Sequence, residues 1–401
     1  MTIPAPNPML ARVFAPPVMA ARRWLDETPL PAGRALLNLS QAAPVDPPPE
    51  SLRRAMADAL TGTAEAHLYG PVLGDTGLRA RIAADWSRIY GGRVAPDQVA
   101  VTAGCNQAFC VAVSTLAGPG DAVILPVPWY FNHKMWLDMA GIEAVPLPVS
   151  DALLPDPEAA RALIGPRTRA IALVSPNNPT GVEYPDTLLH AFLDLAAEHG
   201  IGLILDETYR DFHSGDGAPH TLFARPDWAD RFLHLYSFSK VFRLTGHRTG
   251  ALIAGAGLLA EAEKFLDTVT ICPPRTGQIA ALAGLETLAQ WVAGERAEVL
   301  ARRRAVEEAF ARLPGWRLLG AGAYFAYAAH PFAEPSDRIA RALLAEEALL
   351  VLPGTMFMPE GTGADGRPLG AEALRIAFAN ADADGISEMG RRLAAFTARR
   401  S

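Results

Sequence analysis

Cysteine is scarce in this chain. Only Cys105, Cys110 and Cys272 occur among 401 residues, and no two of them form a Cys-x-x-Cys pair. Three thiols leave one unpaired under any disulfide scheme, so we expect reduced thiols and a cytoplasmic location. The histidines show no spacing typical of a metal site, and no metal is expected. We interpret them as surface or interface residues, among them His67, His133, His213 and His247.

Long hydrophobic runs and blocks of basic residues are also missing. The most apolar stretch, ALIAGAGLLA, is short and interrupted by glycines, so no membrane-spanning helix is expected. The first residues, MTIPAPNPMLARVFAPPVMAARRW, carry prolines where a signal peptide needs an apolar helix. The formal net charge is −7 and no Lys/Arg block stands out, so nucleic acid is not an expected partner.

The middle of the chain has the pattern of alternating strands and helices. With 401 residues, of which 50% are hydrophobic, the chain can form a large core and more than one domain. From about residue 75 to residue 240, apolar runs alternate with amphipathic segments, which is typical of βαβ units and a parallel sheet. The predicted strands are QVAVTAG, AVILP, EAVPLPV, RAIALVSP, GLILDE and FLHLYS. Helices are predicted between them at NQAFCVAVSTLA, YFNHKMWLDMA and PDTLLHAFLDLAAEH.

The two ends of the chain differ from its middle. Residues 1–50 are Pro-rich, and we interpret them as an irregular arm that crosses the surface. The segment SLRRAMADAL predicts a helix with Ser51 or Asp46 as its N-cap. Residues 278–313 predict one or two long helices, and the shorter elements that follow predict a separate α+β layer.

Two polar residues stand where apolar runs of the middle region end. Asp206 closes ILD in ILDETYRDF, and Lys240 follows FLHLY in YSFSKVFRLTGHRTG. The carboxyl ends of parallel strands are where α/β sheets bind their ligands. A lysine can hold an aldehyde as a Schiff base, and an acid can keep a pyridine nitrogen protonated. An acid and a lysine at this edge therefore suit a pyridine-type cofactor.

Seven motifs in order resemble those of one enzyme family. From about Tyr69 to Asn380 the chain resembles the fold-type I pyridoxal-phosphate enzymes of the class I/II aminotransferase family. The resemblance implies an α/β fold with a mostly parallel central sheet flanked by helices, and a smaller α+β domain built from both chain ends. It implies an arm and part of the small domain in residues 1–45, a large cofactor-binding domain in 46–294 and the rest of the small domain in 295–401. The motifs are YGPVLGDTGLRARIA, VTAGCNQAF, PVPWYFNH, SPNNPTG, DETYRDF, SFSKVFRLTGHRTG and LRIAFAN.

The resemblance implies three catalytic residues, Lys240, Asp206 and Tyr209, and a further cofactor contact, Asn178, around pyridoxal 5′-phosphate. Lys240 resembles the Schiff-base lysine, whose amine has to be partly deprotonated to act as nucleophile and proton carrier. Asp206 resembles the acid that pairs with the pyridine nitrogen, although Asp after a strand is also a common helix N-cap. Tyr209 and Asn178 resemble the pair that hydrogen-bonds the cofactor's phenolic oxygen, and Asn178 is also expected beside the substrate. Asn in NNPTG is otherwise more often a turn residue.

Further residues resemble the phosphate site of the family. Arg248, with its planar donor fork, and the hydroxyls of Ser237 and Ser239 resemble phosphate ligands. Backbone amides that precede a predicted helix would face the same phosphate, with a plain β–α turn as the alternative. These amides belong to Gly104, Cys105 and Asn106. Cys105 stands where the family usually has a small residue, and we expect its amide rather than its thiol to matter.

Other residues resemble groups that contact the ring, the partner subunit and the substrate. Tyr130 resembles the aromatic residue that stacks on the cofactor, and Trp129 is the competing choice if the alignment slips by one. Tyr69 resembles a tyrosine that reaches the phosphate of the neighbouring subunit, which implies a homodimer; a packed core tyrosine is the alternative. Arg375 resembles the arginine that binds the substrate α-carboxylate, with a salt bridge inside the small domain as the alternative. Ala42 is expected near the substrate, where the family often has a glycine.

A missing arginine in one segment indicates which amino-acid side chains the site accepts. Enzymes of the family for dicarboxylic amino acids often carry an arginine just before the stretch that is ICPPRTGQ here, but this chain has FLDTVT with Asp267. Arg275 comes later and can point elsewhere. We therefore expect a neutral or cationic side chain to be used at least as well as aspartate. Aromatic candidates for an apolar pocket wall are Trp129, Tyr324 and Phe357, although core packing explains each of them as well.

The resemblance implies an aminotransferase that moves an amino group from an L-amino acid to a 2-oxo acid by a ping-pong mechanism. A pyridoxal-phosphate-dependent lyase for carbon–sulfur or other β-elimination is the alternative, because the same residues serve that chemistry. A non-catalytic sensor domain is disfavoured, since no helix-turn-helix segment precedes the domain and the lysine is kept.

Overall fold

The computed structural model describes residues 4–5 and 7–400. Its strands are β1 (Leu37–Asn38), β2 (Val99–Thr102), β3 (Ala122–Val127), β4 (Glu143–Pro148), β5 (Thr168–Val174), β6 (Gly202–Asp206), β7 (Phe232–Ser237), β8 (Gly250–Ile253), β9 (Arg317–Gly322), β10 (Phe325–Ala329), β11 (Leu349–Leu350), β12 (Leu352–Pro353) and β13 (Ala373–Ala377). Its α-helices are α1 (Pro8–Ala11), α2 (Pro17–Glu27), α3 (Glu50–Gly62), α4 (Thr76–Tyr90), α5 (Cys105–Leu116), α6 (Phe131–Met139), α7 (Pro157–Leu163), α8 (Asp186–His199), α9 (Phe238–Val241), α10 (Ala256–Thr270), α11 (Arg275–Thr287), α12 (Ala289–Ala311), α13 (Ser336–Glu347) and α14 (Ala383–Ala398).

The centre of the fold is a seven-stranded sheet in the order β2-β8-β7-β6-β5-β3-β4. Strands β3 to β7 pair in parallel, and β8 pairs antiparallel to both β7 and β2. The sequence correctly predicted a mostly parallel sheet and its strands β2 to β7. It missed β8, which begins at the glycine-interrupted run GALIAGAG, because glycine weakens the strand pattern.

Helices cover both faces of this sheet. On one face α4, α8 and α11 pack on the strands around Trp86, Tyr90 and Phe192. On the other face α5 and α10 pack on them around Phe109 and Leu266. Strands buried on both faces read as continuous apolar runs, which is why the sequence pattern identified most of them.

A second layer combines the two ends of the chain. The four-stranded sheet β12-β13-β10-β9 packs with helices α12, α13 and α14, and β1 pairs in parallel with β11. One apolar cluster contains Ala21, Trp24 and Leu39 from the N-terminal region together with C-terminal residues such as Phe325 and Phe396. This packing supports the predicted division into residues 1–45, 46–294 and 295–401, which stays a prediction.

Some expectations for the flanking segments are wrong. The N-terminal arm is not irregular, because helices α1 and α2 lie within it and α2 buries Trp24. Helix α3 begins at Glu50 after Pro49, so neither Ser51 nor Asp46 is its N-cap. By contrast, the prediction of one or two long helices in residues 278–313 agrees with the structure, which has two, α11 and α12, divided at Leu288. Within the described residues, no helix combines the length and apolarity that crossing a membrane would need.

Candidate active site

A cavity of about 250 Å³ opens at the carboxyl ends of β5, β6 and β7. This is the edge at which parallel sheets place their ligands. Asp206 at the end of β6 lines it, together with Thr208 and Tyr209 of the segment that follows. Ser237 at the end of β7 also lines it, together with Ser239 and Lys240 of helix α9. Other predicted residues reach it from separate elements; they are Cys105, Asn106, Tyr130, Asn178 and Arg248.

The buried carboxylate of Asp206 has two partners. Its Oδ1 accepts a hydrogen bond of 2.9 Å from the amide of Thr208, and its Oδ2 lies 3.3 Å from Nε2 of His133. The His133 ring stacks on Phe109 of α5, with ring centroids 3.7 Å apart. Burial opposes ionisation of Asp206, but His133 and Thr208 outweigh it and hold the pKa below its usual value. The acid is therefore charged at neutral pH.

His133 corrects one sequence expectation. The expectation that His133 is a surface or interface residue is wrong, because His133 is buried beside Asp206. Helix α6 packs this residue against α5, and a sequence distance of more than seventy residues hid the contact. The contact leaves no local pattern in the sequence around His133, so sequence reasoning could not find it.

Lys240, in helix α9, lines the same cavity as Asp206. Its Nζ donates a hydrogen bond of 2.6 Å to the carbonyl oxygen of Ala42. Burial, with added repulsion from the cations Arg248 and Arg375, lowers the pKa of Lys240 to about 8. The amine is thus partly neutral near physiological pH. Ala42, which is expected near the substrate, contacts Lys240 through its backbone carbonyl oxygen.

An anion-binding corner lies at the start of α5. Gly104 has a φ of +87°, which residues with a side chain rarely adopt, and a Cβ at this position would force Nη2 of Arg248 to move away. Arg248 donates to Ser239 Oγ at 3.4 Å and to the carbonyl of Thr245 at 2.9 Å. Cys105 and Asn106, in the first turn of α5, line the cavity, and the first amides of a helix are free to bind an anion, as in phosphate sites at helix N-termini. Burial raises the pKa of the Cys105 thiol well above its usual value, so that thiol stays protonated.

Arg375 is a buried guanidinium beside Asn178, which lines the cavity. It donates to Asn178 Oδ1 at 3.1 Å and to the carbonyl of Ser40, and it lies 5.0 Å from the ring centroid of Phe357. Burial lowers its pKa to about 10. In the part of the chain that the structure describes, no carboxylate forms a salt bridge with it and its Nε has no hydrogen-bond partner. The alternative of a salt bridge inside the small domain is therefore wrong.

The aromatic candidates occupy different places. Tyr130 lines the cavity, and its hydroxyl accepts a hydrogen bond of 2.9 Å from Asn132. Trp129 lines a neighbouring hollow together with Phe14 and Lys134. This geometry favours Tyr130 as the residue beside a cofactor ring. Tyr69 lies outside the cavity and is 80% exposed, so the alternative of a packed core tyrosine is wrong.

Some cavity residues were not predicted from the sequence. Thr208 holds Asp206 through its backbone amide and also through its side chain, and both hydrogen bonds lower the pKa of the carboxyl group. Gln41 and Thr245 also line the cavity. Gln41 stands in LSQAAP, the segment expected beside the substrate, and its side chain accepts a hydrogen bond of 3.2 Å from Arg22 of α2.

Known proteins share both the sequence pattern and the fold. The model of the family "Aminotransferase class I and II" matches residues 34–393. An arginine–pyruvate transaminase of Pseudomonas aeruginosa is 34% identical over 352 residues, which are 86% of this chain and 88% of the relative. A valine–pyruvate aminotransferase of Mycobacterium tuberculosis is 32% identical over 366 residues, 89% of this chain and 90% of the relative.

Solved structures agree with these relatives. An aminotransferase from Mycobacterium tuberculosis has a TM-score of 0.87 at 30% identity, with 100% of both chains covered. An aspartate aminotransferase from Thermus thermophilus, in complex with maleate, has a TM-score of 0.87 at 26% identity, covering 98% of this chain and 100% of the other.

Proposed function

Because this chain belongs to the class I and II aminotransferases, we propose that its Lys240 and Asp206 hold pyridoxal 5′-phosphate and that the cavity transfers the amino group of an L-amino acid to a 2-oxo acid. The chain is an aminotransferase, and the family depends on this cofactor. One observation carries the assignment of the site. An amine with a pKa near 8 and an ionised carboxylate face one cavity that also holds an anion-binding corner.

The residues present fit the cofactor. When bound, pyridoxal phosphate supplies an aldehyde for amine exchange and a ring that accepts electrons from the substrate Cα. Asp206 would hold the proton of the ring nitrogen, and Lys240 would form the covalent link. The phosphate would lie in the corner of Arg248 and the first turn of α5, where Gly104 leaves room. Tyr209 and Asn178 would donate to the phenolic oxygen.

The protein's own groups then direct the reaction. Arg375, buried without a carboxylate partner among the described residues, would bind the substrate carboxylate through its planar fork. Lys240 is near enough to neutral to take the Cα proton and to return it on the same face, as a general acid–base needs. Arg375 orients the amino acid, and Lys240 moves its proton.

We propose an amino donor with a neutral or cationic side chain. Relatives that share about a third of their residues are named for arginine and valine as donors and pyruvate as acceptor. Others are named for aspartate and prephenate. Arg275 does not favour a second carboxylate, because its side chain is directed to the carbonyl of Glu65 at 3.3 Å and to Asp75 at 3.6 Å.

We also propose a cytoplasmic homodimer. Tyr69 and its neighbour Leu68 are exposed, and Val269 and Ile271 are exposed apolar residues of the α10 terminus. Exposed apolar side chains of this kind are typical of interfaces. Gly70 and Cys272 connect the two segments, because the Gly70 amide donates to Sγ of Cys272 at 3.5 Å.

An amino-donor screen tests this function. The purified protein, loaded with the cofactor, is given single L-amino acids with pyruvate or 2-oxoglutarate, and the 2-oxo acid formed from each donor is measured. We expect neutral or cationic donors to react at least as fast as aspartate. Exclusive use of aspartate would contradict the donor assignment. Pyruvate and ammonia formed from a β-substituted amino acid, without amino transfer, would support the lyase instead.

A further inference from the structure

A second buried polar cluster lies directly behind the candidate active site. It consists of Glu207, Tyr90, His220 and His234, each at most 1% exposed, and is called the Glu207 cluster below. Successive side chains of a strand point to opposite faces, so Glu207 points away from the cavity that its neighbour Asp206 lines. The aminotransferase reaction proposed above does not use any of these four residues.

Three groups converge on a single oxygen of Glu207. The Tyr90 hydroxyl donates to Oε2, Nε2 of His234 lies 2.7 Å from it, and Nε2 of His220 lies 3.3 Å from it. Tyr90 in turn accepts a hydrogen bond of 3.1 Å from Arg210. A buried carboxylate without such partners would be strongly destabilising, so the donors are what allow the charge to remain there.

The two histidines are held in one tautomer. Nδ1 of His234 accepts a hydrogen bond of 3.3 Å from the Trp86 indole, and Nδ1 of His220 accepts one of 3.2 Å from the Leu222 amide. Each Nδ1 lone pair is therefore engaged, so in the neutral rings Nε2 carries the hydrogen. Both Nε2–H groups then face Glu207.

This tautomer decides whether the Glu207 cluster binds a metal ion or hydrogen-bonds the carboxylate. A glutamate and two histidines with ligand atoms this close together could hold a metal ion. Ligation through Nε2 would require the hydrogen to move to Nδ1, where the Trp86 indole and the Leu222 amide already donate. Burial lowers the pKa of His234 to about 4, which also keeps that ring neutral. The arrangement therefore suits hydrogen bonding to the carboxylate.

The cluster is joined to the active site through the chain itself. The Glu207 amide donates to the carbonyl of Leu235 in β7 at 2.9 Å, and the Arg210 amide donates to the Glu207 carbonyl at 3.2 Å. Between these anchors lie Thr208, whose amide holds the Asp206 carboxylate, and Tyr209, which lines the cavity. Arg210 is fixed over the ring of Trp86 at 3.6 Å. The segment that carries the proposed cofactor contacts Asp206 and Tyr209 is thus fixed by hydrogen bonds on the side of the sheet that faces away from the cavity.

We propose that Glu207, held by Tyr90 and His234 with His220 beside them, is a positioning residue that sets the orientation of Asp206 and Tyr209 toward the cofactor. This inference rests on the proposed function. A displacement of about 1 Å at a reacting group can cost roughly 100-fold in rate, so a remote anchor can matter to catalysis.

The test replaces the carboxylate by its neutral isostere, Glu207→Gln. A neutral amide oxygen accepts the hydrogen bonds of Tyr90 and His234 more weakly than the charged carboxylate does, so the loop should loosen. In the cofactor-free protein we expect faster amide hydrogen exchange in residues 206–212, by roughly tenfold or more. In the loaded enzyme we expect kcat to fall roughly 10- to 100-fold with less change in KM. The pH at which the bound cofactor's absorbance titrates should also shift.

Glu347→Gln is the matched control. Glu347 is equally buried, pairs with Arg34 and Arg399 in the small domain, and does not line the cavity. It should lower the thermal unfolding temperature while leaving the absorbance titration and the exchange of residues 206–212 unchanged. If Glu207→Gln fails to fold, Tyr90→Phe, which removes one donor and keeps the ring, should give the same changes at smaller size.

The outcomes separate this inference from the function on which it rests. A wild-type protein without a cofactor absorbance and without amino transfer would overturn the proposed function. A working wild type whose Glu207→Gln and Tyr90→Phe variants keep the titration, the exchange and kcat would overturn the positioning role alone. One equivalent of bound zinc that is lost in His220→Gln would also overturn it, because the cluster would then be a metal site.

Discussion

Nζ of Lys240 donates a hydrogen bond of 2.6 Å to the carbonyl oxygen of Ala42, across 198 positions of sequence. The amine comes from helix α9, which directly follows β7, and the carbonyl comes from the segment that follows β1. In the cofactor-free protein the amine is therefore already directed into the cavity. Capture of an aldehyde has to replace this hydrogen bond and requires the amine to be neutral.

The first prediction concerns the pH dependence of cofactor capture. Burial and the charges of Arg248 and Arg375 lower the pKa of Lys240 to about 8. The neutral fraction grows as pH rises through this value, so the rate of cofactor attachment should rise with a midpoint near pH 8 and then level off. An ordinary lysine would show this rise near about pH 10.4. Stopped-flow absorbance after mixing cofactor-free protein with pyridoxal phosphate measures the profile.

Variants test the assignment of this midpoint. Lys240→Ala should lose both the attachment and all turnover, whereas Lys264→Ala, on the exposed surface of α10, should behave as the wild type. Arg375→Gln removes one of the nearby cations and should move the midpoint to higher pH. A Lys240→Ala protein with normal turnover would refute the site as a whole.

The sequence predicted the site residues that stand at the ends of strands, but it did not predict the contacts that these residues make with distant parts of the chain. Asp206 and Lys240 were recognisable because each follows an apolar run that is buried on both faces, a local signal that one stretch of sequence carries. The pairing of Asp206 with His133 depends on how α6 packs on α5, and the Lys240–Ala42 contact depends on where the N-terminal segment crosses the sheet. Such distant contacts leave no periodic pattern, so the sequence could not predict them.

The second prediction concerns the acid. Asp206→Asn should still bind the cofactor but should lose roughly 10²- to 10³-fold in the rate of the amino-acid half-reaction, because a neutral amide cannot hold the ring nitrogen's proton. Asp121→Asn is the control, since Asp121 pairs with Arg169 at the other end of the sheet. Single-turnover absorbance with one amino acid measures both variants. A near-normal rate in Asp206→Asn would mean that this residue only organises the turn after β6.

The third prediction concerns the substrate carboxylate. Arg375→Lys keeps a positive charge but loses the planar fork that binds a carboxylate through two hydrogen bonds. Loss of one charged hydrogen bond costs about 1.5–3 kcal/mol, so amino-acid binding in the first half-reaction should weaken roughly 10- to 150-fold. Cofactor affinity should change little.

Arg302→Lys is the control for this substitution. Arg302 is another arginine of the small-domain side, which donates to the carbonyl of Ala379 at 2.6 Å and pairs with Glu298. It should leave amino-acid binding nearly unchanged. If Arg375→Lys instead loosens the cofactor and spares the amino acid, Arg375 belongs to the cofactor site.

The last prediction concerns Tyr69 and the second subunit. Tyr69 is 80% exposed and lies outside the cavity, so a role at the phosphate requires that it act on the site of another copy of this chain. Sedimentation at working concentration should show a dimer, and an active monomer would contradict the proposal. Tyr69→Phe removes one hydrogen bond and should weaken cofactor binding by up to roughly tenfold.

A hybrid dimer of one Tyr69→Phe subunit and one Lys240→Ala subunit tests whether the tyrosine acts across the interface. If it does, the site of the Tyr69→Phe subunit keeps its own Lys240 and receives an intact Tyr69 from the other subunit. That site should then bind the cofactor with wild-type affinity, at half of the wild-type number of sites. If Tyr69 acts within its own subunit, no site in the hybrid contains both residues, and the weakened affinity of Tyr69→Phe should persist. Equilibrium cofactor titration of the purified hybrid distinguishes these outcomes.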